Sequence, residues 1–395
     1  MTASRGQRDG VALVLFLALF AAQAAVIALS PVLGAVASDF GVSTAAAGQL
    51  RTLSGLAAAV TAVSIPRLSR VLGLRALMLA GAAMIAVGSL VSAAAPSFAV
   101  LAAAQLAIGV AVAAVVAAGT SAAAAWAPEG RRTQVLAWAL VGQPAAWIVG
   151  MPLVGSLGEL SWRYGWLALP LAAALAALLL LVRRPRDDAG SAAEEAGLRS
   201  ALRDGAVARW ALSELLANCG WAGTLVYAGA LFADSYDASP ALTGFVLAAG
   251  AVAYVGGNLA GRRFAERHAR RQLIALATLL ALAIPLFGAV RPSVLASALL
   301  FALAAFVAGG RTLIGNLVGL EVAPEQRLAA MGIRTAAVQL GYFLGSGAAG
   351  LALGVAGYTG LGLTLGLFFV AAAAALVELG LGARPLATAS PSRQL

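Results

Sequence analysis

The chain has 395 residues, 62% of them hydrophobic and 11% charged, with a net charge of +10 and a mean hydropathy of +0.93. A water-soluble domain keeps about a quarter of its residues charged, so this surface faces something other than water. A single histidine, His268, and a single cysteine, Cys219, argue against a histidine-built metal site or triad and exclude an intramolecular disulfide.

Apolar runs bounded by charges or by glycine and proline clusters predict twelve helices. They lie near 11–37, 44–66, 75–95, 97–126, 134–156, 164–182, 207–232, 240–262, 271–290, 293–320, 328–354 and 358–382. Runs such as VALVLFLALFAAQAAVIAL match the roughly 20 helical residues that cross a bilayer core. An open sheet would leave unpaired edges in lipid, so the spans are helical. The polar opening MTASRGQRDG is too short for a transit peptide. The first apolar run is too long for a signal-peptide core and is read as a retained span.

Arginine placement orients these spans. All 26 basic residues are arginine; 21 fall in segments on the side of the N-terminus, and only Arg163 and Arg291 fall on the other. Arg51, Arg311 and Arg334 fall inside helices. Positive residues gather in cytoplasmic loops, so both termini are expected in the cytoplasm and no nucleic-acid partner is needed to explain the charge. The expectation is a monomeric, multi-pass protein of a bacterial inner membrane, surrounded by lipid and requiring no cofactor or metal.

The one long polar stretch, RRPRDDAGSAAEEAGLRSALRDGAVAR from Arg183 to Arg209, divides the helices into two sets of six. The expected organisation is a six-helix bundle over 1–182, a cytoplasmic linker over 183–206, and a second six-helix bundle with a cytoplasmic tail over 207–395. The halves align at an offset of 196 residues. Ser43 and Gly48 then meet Ser239 and Gly244, and Arg67, Arg75 and Leu77 meet Arg263, Arg271 and Leu273. Ala127-Pro128-Glu129 meets Ala323-Pro324-Glu325, Arg131 meets Arg327, and Gln143 meets Gln339. One offset serves from the second predicted helix to the fifth without a gap. A parallel repeat of two six-helix halves is a transporter architecture.

The loop between the second and third predicted helices reads PRLSRVLGLR, residues 66–75, and its counterpart reads RRFAERHARR, residues 262–271. With the duplicated twelve-helix pattern, these segments resemble the major facilitator superfamily over essentially the whole chain. Within it they look most like the twelve-span drug:proton antiporters and the sugar-efflux-type exporters, whose loop has the form G-x-L-A-D-R-x-G-R-R. Leu68, Gly73 and Arg75 fit that form, whereas Arg70 occupies its acidic position and Pro66 its leading glycine. The second loop keeps more of it, with Phe264, Ala265, Glu266, Arg267, Arg270 and Arg271. In the family this loop is a charged clasp between helix ends, so the resemblance implies gating roles for Arg70, Gly73, Arg75, Glu266, Arg267 and Arg271. The same arginines also serve topology alone. The segment GQPAAWIVGMPLVG, residues 142–155, resembles the glycine- and proline-rich fifth-helix signature of exporters. The family's fourth-helix arginine is replaced by Gln105 in LAAAQLAIG, a departure from the usual proton relay.

The resemblance also implies a central cavity lined by helices 1, 4, 7 and 10, with 2, 5, 8 and 11 at its sides. The polar residues on those helices include Gln23, Arg51, Gln105, Gln143, Glu214, Asn218, Arg311, Asn316, Arg334 and Gln339, and Trp147, Trp221 and Tyr227 offer aromatic walls. Glu214, Asn218 and Trp221 share one helix face. For the amides, helix-to-helix hydrogen bonding stands beside the cavity reading. The charges are more informative, because each costs at least ~2.5–3.5 kcal/mol in the bilayer core. At offset 196, Arg51, Glu214, Arg311 and Arg334 correspond to Leu247, Ala18, Val115 and Trp138, so the shared scaffold does not require them. Counting ~1.5 Å per residue from the predicted helix ends puts Glu214, Arg311 and Arg334 at overlapping depths. The sequence therefore predicts that Arg311 faces the cavity and pairs with Glu214, with Arg334 nearby.

The expected function is secondary active transport: export of a small amphipathic organic molecule in exchange for protons. The alternative is transport of a small organic anion bound by the intramembrane arginines. An embedded enzyme is disfavoured, since one histidine, one cysteine and no acidic pair at catalytic spacing leave little chemistry to assign.

Overall fold

The structure is a computed structural model that describes residues 5–127, 132–183, 202–264, 268–322 and 327–377. Helices account for every regular element among them. α1 (Arg5–Ile27) continues through a 3-10 turn, Ser30–Val32, into α2 (Leu33–Asp39). The expected unbroken helix 11–37 is thus broken where Pro31, lacking an N–H, enters the tighter turn. The run Thr44–Ala94 divides at Gly73 into α3 (44–72) and α4 (74–94). Next come α5 (Phe98–Ala125), α6 (Arg132–Gly158) and α7 (164–183), which includes a π-turn at Leu167–Leu171 around Pro170. α8 (Gly205–Tyr236), α9 (Pro240–Phe264), α10 (Ala269–Ala289) and α11 (Val294–Val322) follow. The run Arg327–Val377 divides at Ala356 and Gly357 into α12 (327–355) and α13 (358–377).

Ten stretches are long and apolar enough to cross a membrane. The longest, Gly332–Val377, is two spans across the break at Gly357. α3, whose apolar character Gln49 and Arg51 dilute, completes twelve among the described residues. The protein is a multi-pass membrane protein.

Local chemistry repeats with the sequence. Ser43 caps α3 by accepting the Ala46 N–H, and Ser239 caps α9 by accepting from Leu242. Ser97 accepts from Val100 at the start of α5, and Ser293 from Ala296 at the start of α11. Each pair is separated by 196 residues, the offset of the internal repeat. A serine oxygen here satisfies an N–H that the first helical turn leaves without a partner.

The segment expected to be a loop at 66–75 differs. The helix continues to Leu72 and turns only at Gly73, whose φ of 80° only glycine tolerates readily. No second helix breaker stands between Pro66 and Gly73. Arg70 is exposed on this last turn, while Arg75 opens α4 and donates to the carbonyls of Leu181 and Val182 at 3.0 and 2.9 Å. Arg75 therefore ties α4 to the end of α7, satisfying carbonyls that a helix terminus leaves free. Arg271 is exposed in the first turn of α10. Glu266 and Arg267 lie outside the described residues, as do 184–201 of the expected linker.

The two halves meet along α3 with α12 and α6 with α9, helices related by the repeat. The bonds that join them lie toward the far face, opposite the end where α1 begins. Tyr227 donates to the Ala45 carbonyl at 3.2 Å, Thr52 and Ser346 share a hydrogen bond of 2.9 Å, and Gln49 reaches the Gly347 carbonyl at 3.5 Å. Glu159 accepts the Ala241 N–H at 2.9 Å, from the first turn of α9. Both Gly155 and Gly244 let α6 and α9 touch through their backbones. Within the first half, Arg163 pairs with Asp39 at 3.0 Å and donates to the carbonyls of Ala93 and Ala95.

Candidate functional site

Glu214 is fully buried on α8, and two arginines from other helices converge on it. Arg311 Nη1 on α11 donates to Glu214 Oε1 at 2.9 Å. Its Nη2 donates to both the carbonyl and the hydroxyl of Ser213, each at 3.1 Å. Arg334 Nε on α12 lies 3.2 Å from Oε2, within ion-pair distance but not aligned to donate. Glu214 Oε2 has no hydrogen-bond partner. The site is therefore asymmetric: Arg311 is held by three bonds, and Arg334, whose side chain is 18% exposed, is held loosely.

Local sequence sets this geometry. Ser213 precedes Glu214, so one guanidinium bridges adjacent positions of α8. Gly315, one turn beyond Arg311, leaves room for the carboxylate; a Cβ there would lie 2.5 Å from Oε1. Trp210, one turn before Glu214, is buried, donates to the Gly315 carbonyl at 2.9 Å and covers Gly319. At 1.5 Å per residue, Glu214 lies about 14 Å into α8, Arg311 about 16 Å from the end of α11, and Arg334 about 10 Å into α12. Charges at that depth are costly unless paired. Tyr254 on α9 borders the cluster; its hydroxyl donates to Thr312 at 2.7 Å, and its ring stacks on Trp221 at 6.0 Å.

Arg51 forms a separate centre on α3. Its side chain reaches across the seam and stacks over Tyr342 of α12, 4.3 Å from the ring centroid. Nη1 donates to Ser54 Oγ at 2.7 Å, and Nε has no partner. A cavity of about 10 Å³ adjoins it, lined by Ser30, Trp147, Leu225, Val226 and Tyr342 among others.

Other predicted residues serve differently. Arg311 is paired as expected but is buried inside the second half, and the small cavity between the halves is lined by Arg51 instead. Asn218 donates to the Glu214 carbonyl of its own helix at 2.7 Å, with Gly341 packed against it. Gln105 donates to Ser92 Oγ at 3.2 Å, joining α5 to α4 within the first half, so its amide is used for packing. Tyr227 belongs to the far-face seam and forms no wall around the charges. Gln23, Gln143, Asn316 and Gln339 are half-buried on α1, α6, α11 and α12. Sequence reasoning missed Ser213, Trp210, Tyr254, Tyr342 and Gly315. Only Ser213 and Gly315 carried a signal, by adjacency to Glu214 and by i+4 spacing from Arg311.

The family model described as Major Facilitator Superfamily matches residues 15–231 and again 210–394. The chain belongs to that superfamily. Membership places it among transport proteins rather than enzymes. Solved structures share the superfamily fold at low identity. A bacterial homolog of the human lysosomal transporter Spinster, in an inward-facing and occupied conformation, has a TM-score of 0.78 at 15% identity over 95% of this chain and 97% of that one. The nucleoside transporter NupG has a TM-score of 0.74 at 14% identity, covering 94% and 98%. The human organic anion transporter MFSD10 has a TM-score of 0.64 at 19% identity, covering 93% and 99%. Among curated proteins none matches the chain. For a superfamily member, the notable feature is where charge has been placed: three arginines and one glutamate among the buried or half-buried groups of α3, α8, α11 and α12.

Proposed function

We propose that this transporter works by alternating access and couples export of a small amphipathic organic molecule to protons, with Glu214 as the coupling group. The observation that carries this reading is a fully buried carboxylate held by arginines from two other helices, one oxygen lacking a hydrogen bond. Protonation removes the only negative charge of the cluster. Arg311 then keeps its two bonds to Ser213, whereas Arg334 loses its counter-charge and α12 is freed to move against α8. α12 also forms the seam with the first half, so the change reaches the contact between halves. With both termini in the cytoplasm, the far face is external, and the seam closes that side. Counterflow of labelled amphipathic compounds in proteoliposomes, with and without a pH gradient, tests the reading: the gradient should drive exchange by the native protein, and Glu214→Gln should abolish only that dependence. Exchange by the native protein that ignores the gradient would defeat it.

A second reading, transport of an organic anion, is favoured by the charge balance. Arg51, Arg311 and Arg334 face one Glu214, a surplus of two positive charges near the path. MFSD10, named above as an organic anion transporter, shares the fold.

A further inference from the structure

Arg51 is the buried cation whose described surroundings supply no acid. It is 6% exposed, and its contacts are the Ser54 hydroxyl and Tyr342, whose ring it stacks on and whose hydroxyl also interacts with the guanidinium. A guanidinium stays charged and presents five donors, so a buried one calls for acceptors. Nε has none, and the Arg51 side chain lines the cavity between α1, α3, α6, α8 and α12. At about 10 Å³ that space admits one group the size of a water molecule. Apart from Ser30, its remaining walls are apolar or aromatic: Val26, Leu29, Leu225, Val226, Trp147 and Tyr342. The repeat counterpart of Arg51 is Leu247, which is buried, so the fold is built equally well without a charge at this position.

We infer that Arg51 is an anion-binding residue on the transport path, which takes a compact monoanionic head, either a free halide or the carboxylate of an apolar cargo. This deepens the organic-anion reading and rests on it for the identity of the cargo. One guanidinium in a mostly apolar, water-sized space matches one negative charge and disfavours a larger dianion. The position also gives binding a consequence. The stack of Arg51 on Tyr342 joins the halves at the inner end of the seam formed by Gln49, Thr52 and Ser346. An anion on Arg51 competes with the ring for the guanidinium, and occupancy thereby loosens the seam from within.

The test is thermal unfolding of the full chain in nanodiscs, titrated with sodium chloride or sodium benzoate at constant ionic strength balanced by sodium sulfate. The expected result is a saturable rise in the midpoint, with half-saturation weakened at least tenfold in Arg51→Gln and unchanged in Arg291→Gln at the far face. Saturation by chloride alone assigns a free-anion site. Benzoate binding that chloride competes away assigns a carboxylate head with an apolar body. Leu225→Phe fills the cavity while leaving Arg51 in place, and it should lose the response even if Arg51→Gln does not fold. No saturable response to either salt in the native protein, or a response that survives in Arg51→Gln or Leu225→Phe, overturns the inference. The measurement needs no transport, so a failed counterflow experiment and an empty Arg51 site are separately visible.

Discussion

Removing the charge of Glu214 should be the most damaging single change within the charged cluster, and the structure ranks its partners. In Glu214→Gln, the Arg311 and Arg334 guanidiniums remain buried or half-buried without a counter-charge. Breaking a buried pair in this way costs on the order of 3–5 kcal/mol. Arg311→Ala removes three hydrogen bonds but leaves a carboxylate that keeps Arg334 at 3.2 Å, so the loss should be about 3 kcal/mol. Arg334→Ala removes an unaligned contact on a partly exposed side chain and should cost about 1 kcal/mol. Unfolding in mixed micelles, followed by circular dichroism, measures these differences. The double variant Glu214→Gln with Arg311→Ala should cost less than the sum of its parts, because the second change removes a cation that the first had stranded. An Arg334→Ala loss equal to that of Arg311→Ala, or a neutral Glu214→Gln, would refute the asymmetric triad.

Gly315→Ala places a methyl group 2.5 Å from Glu214 Oε1 and 3.2 Å from Oε2, so the carboxylate must move. A stability loss of about 1–3 kcal/mol and reduced pH-driven counterflow are expected, and unchanged transport in a folded protein would count against the role of Glu214. Glu159 has its pKa held below the ordinary carboxylate range, first by the Ala241 N–H and then by the Ser239 hydroxyl. Its contribution to the far-face contact is therefore present above the ordinary carboxylate pKa and is lost as pH falls through the depressed value. The difference in melting temperature between native protein and Glu159→Gln should shrink on acidification, and a difference that does not change with pH would contradict the assignment. Asp237, exposed beyond α8 with φ of 49°, should react as Asp237→Cys with impermeant maleimide from outside the cell; labelling from the cytoplasm alone would reverse the proposed topology.

Twelve spans, the internal repeat and the superfamily were legible in the sequence, because lipid admits few backbone solutions and leaves a strong hydropathy signal. The helix starts at Thr44 and Pro240 were legible to the residue, and those at Phe98 and Val294 to within one, and at each a preceding serine oxygen answers a local N–H. The pairing of Glu214 with Arg311 was also legible, since a buried carboxylate and a buried guanidinium at similar depth have few other partners. What each amide does was not: Gln105 bonds Ser92, and Asn218 bonds its own helix, because hydropathy does not record which way a half-polar helix is turned. The continuation of α3 to Leu72 was hidden by a motif read as a loop. Only the tertiary structure separated Arg51 from the triad. Its surroundings come from five helices far apart in the chain, and the contact with Tyr342 depends on how closely α3 and α12 approach. Gly55 sets that approach, resting against the backbone of Phe343, a distance that the sequence of either helix alone does not contain.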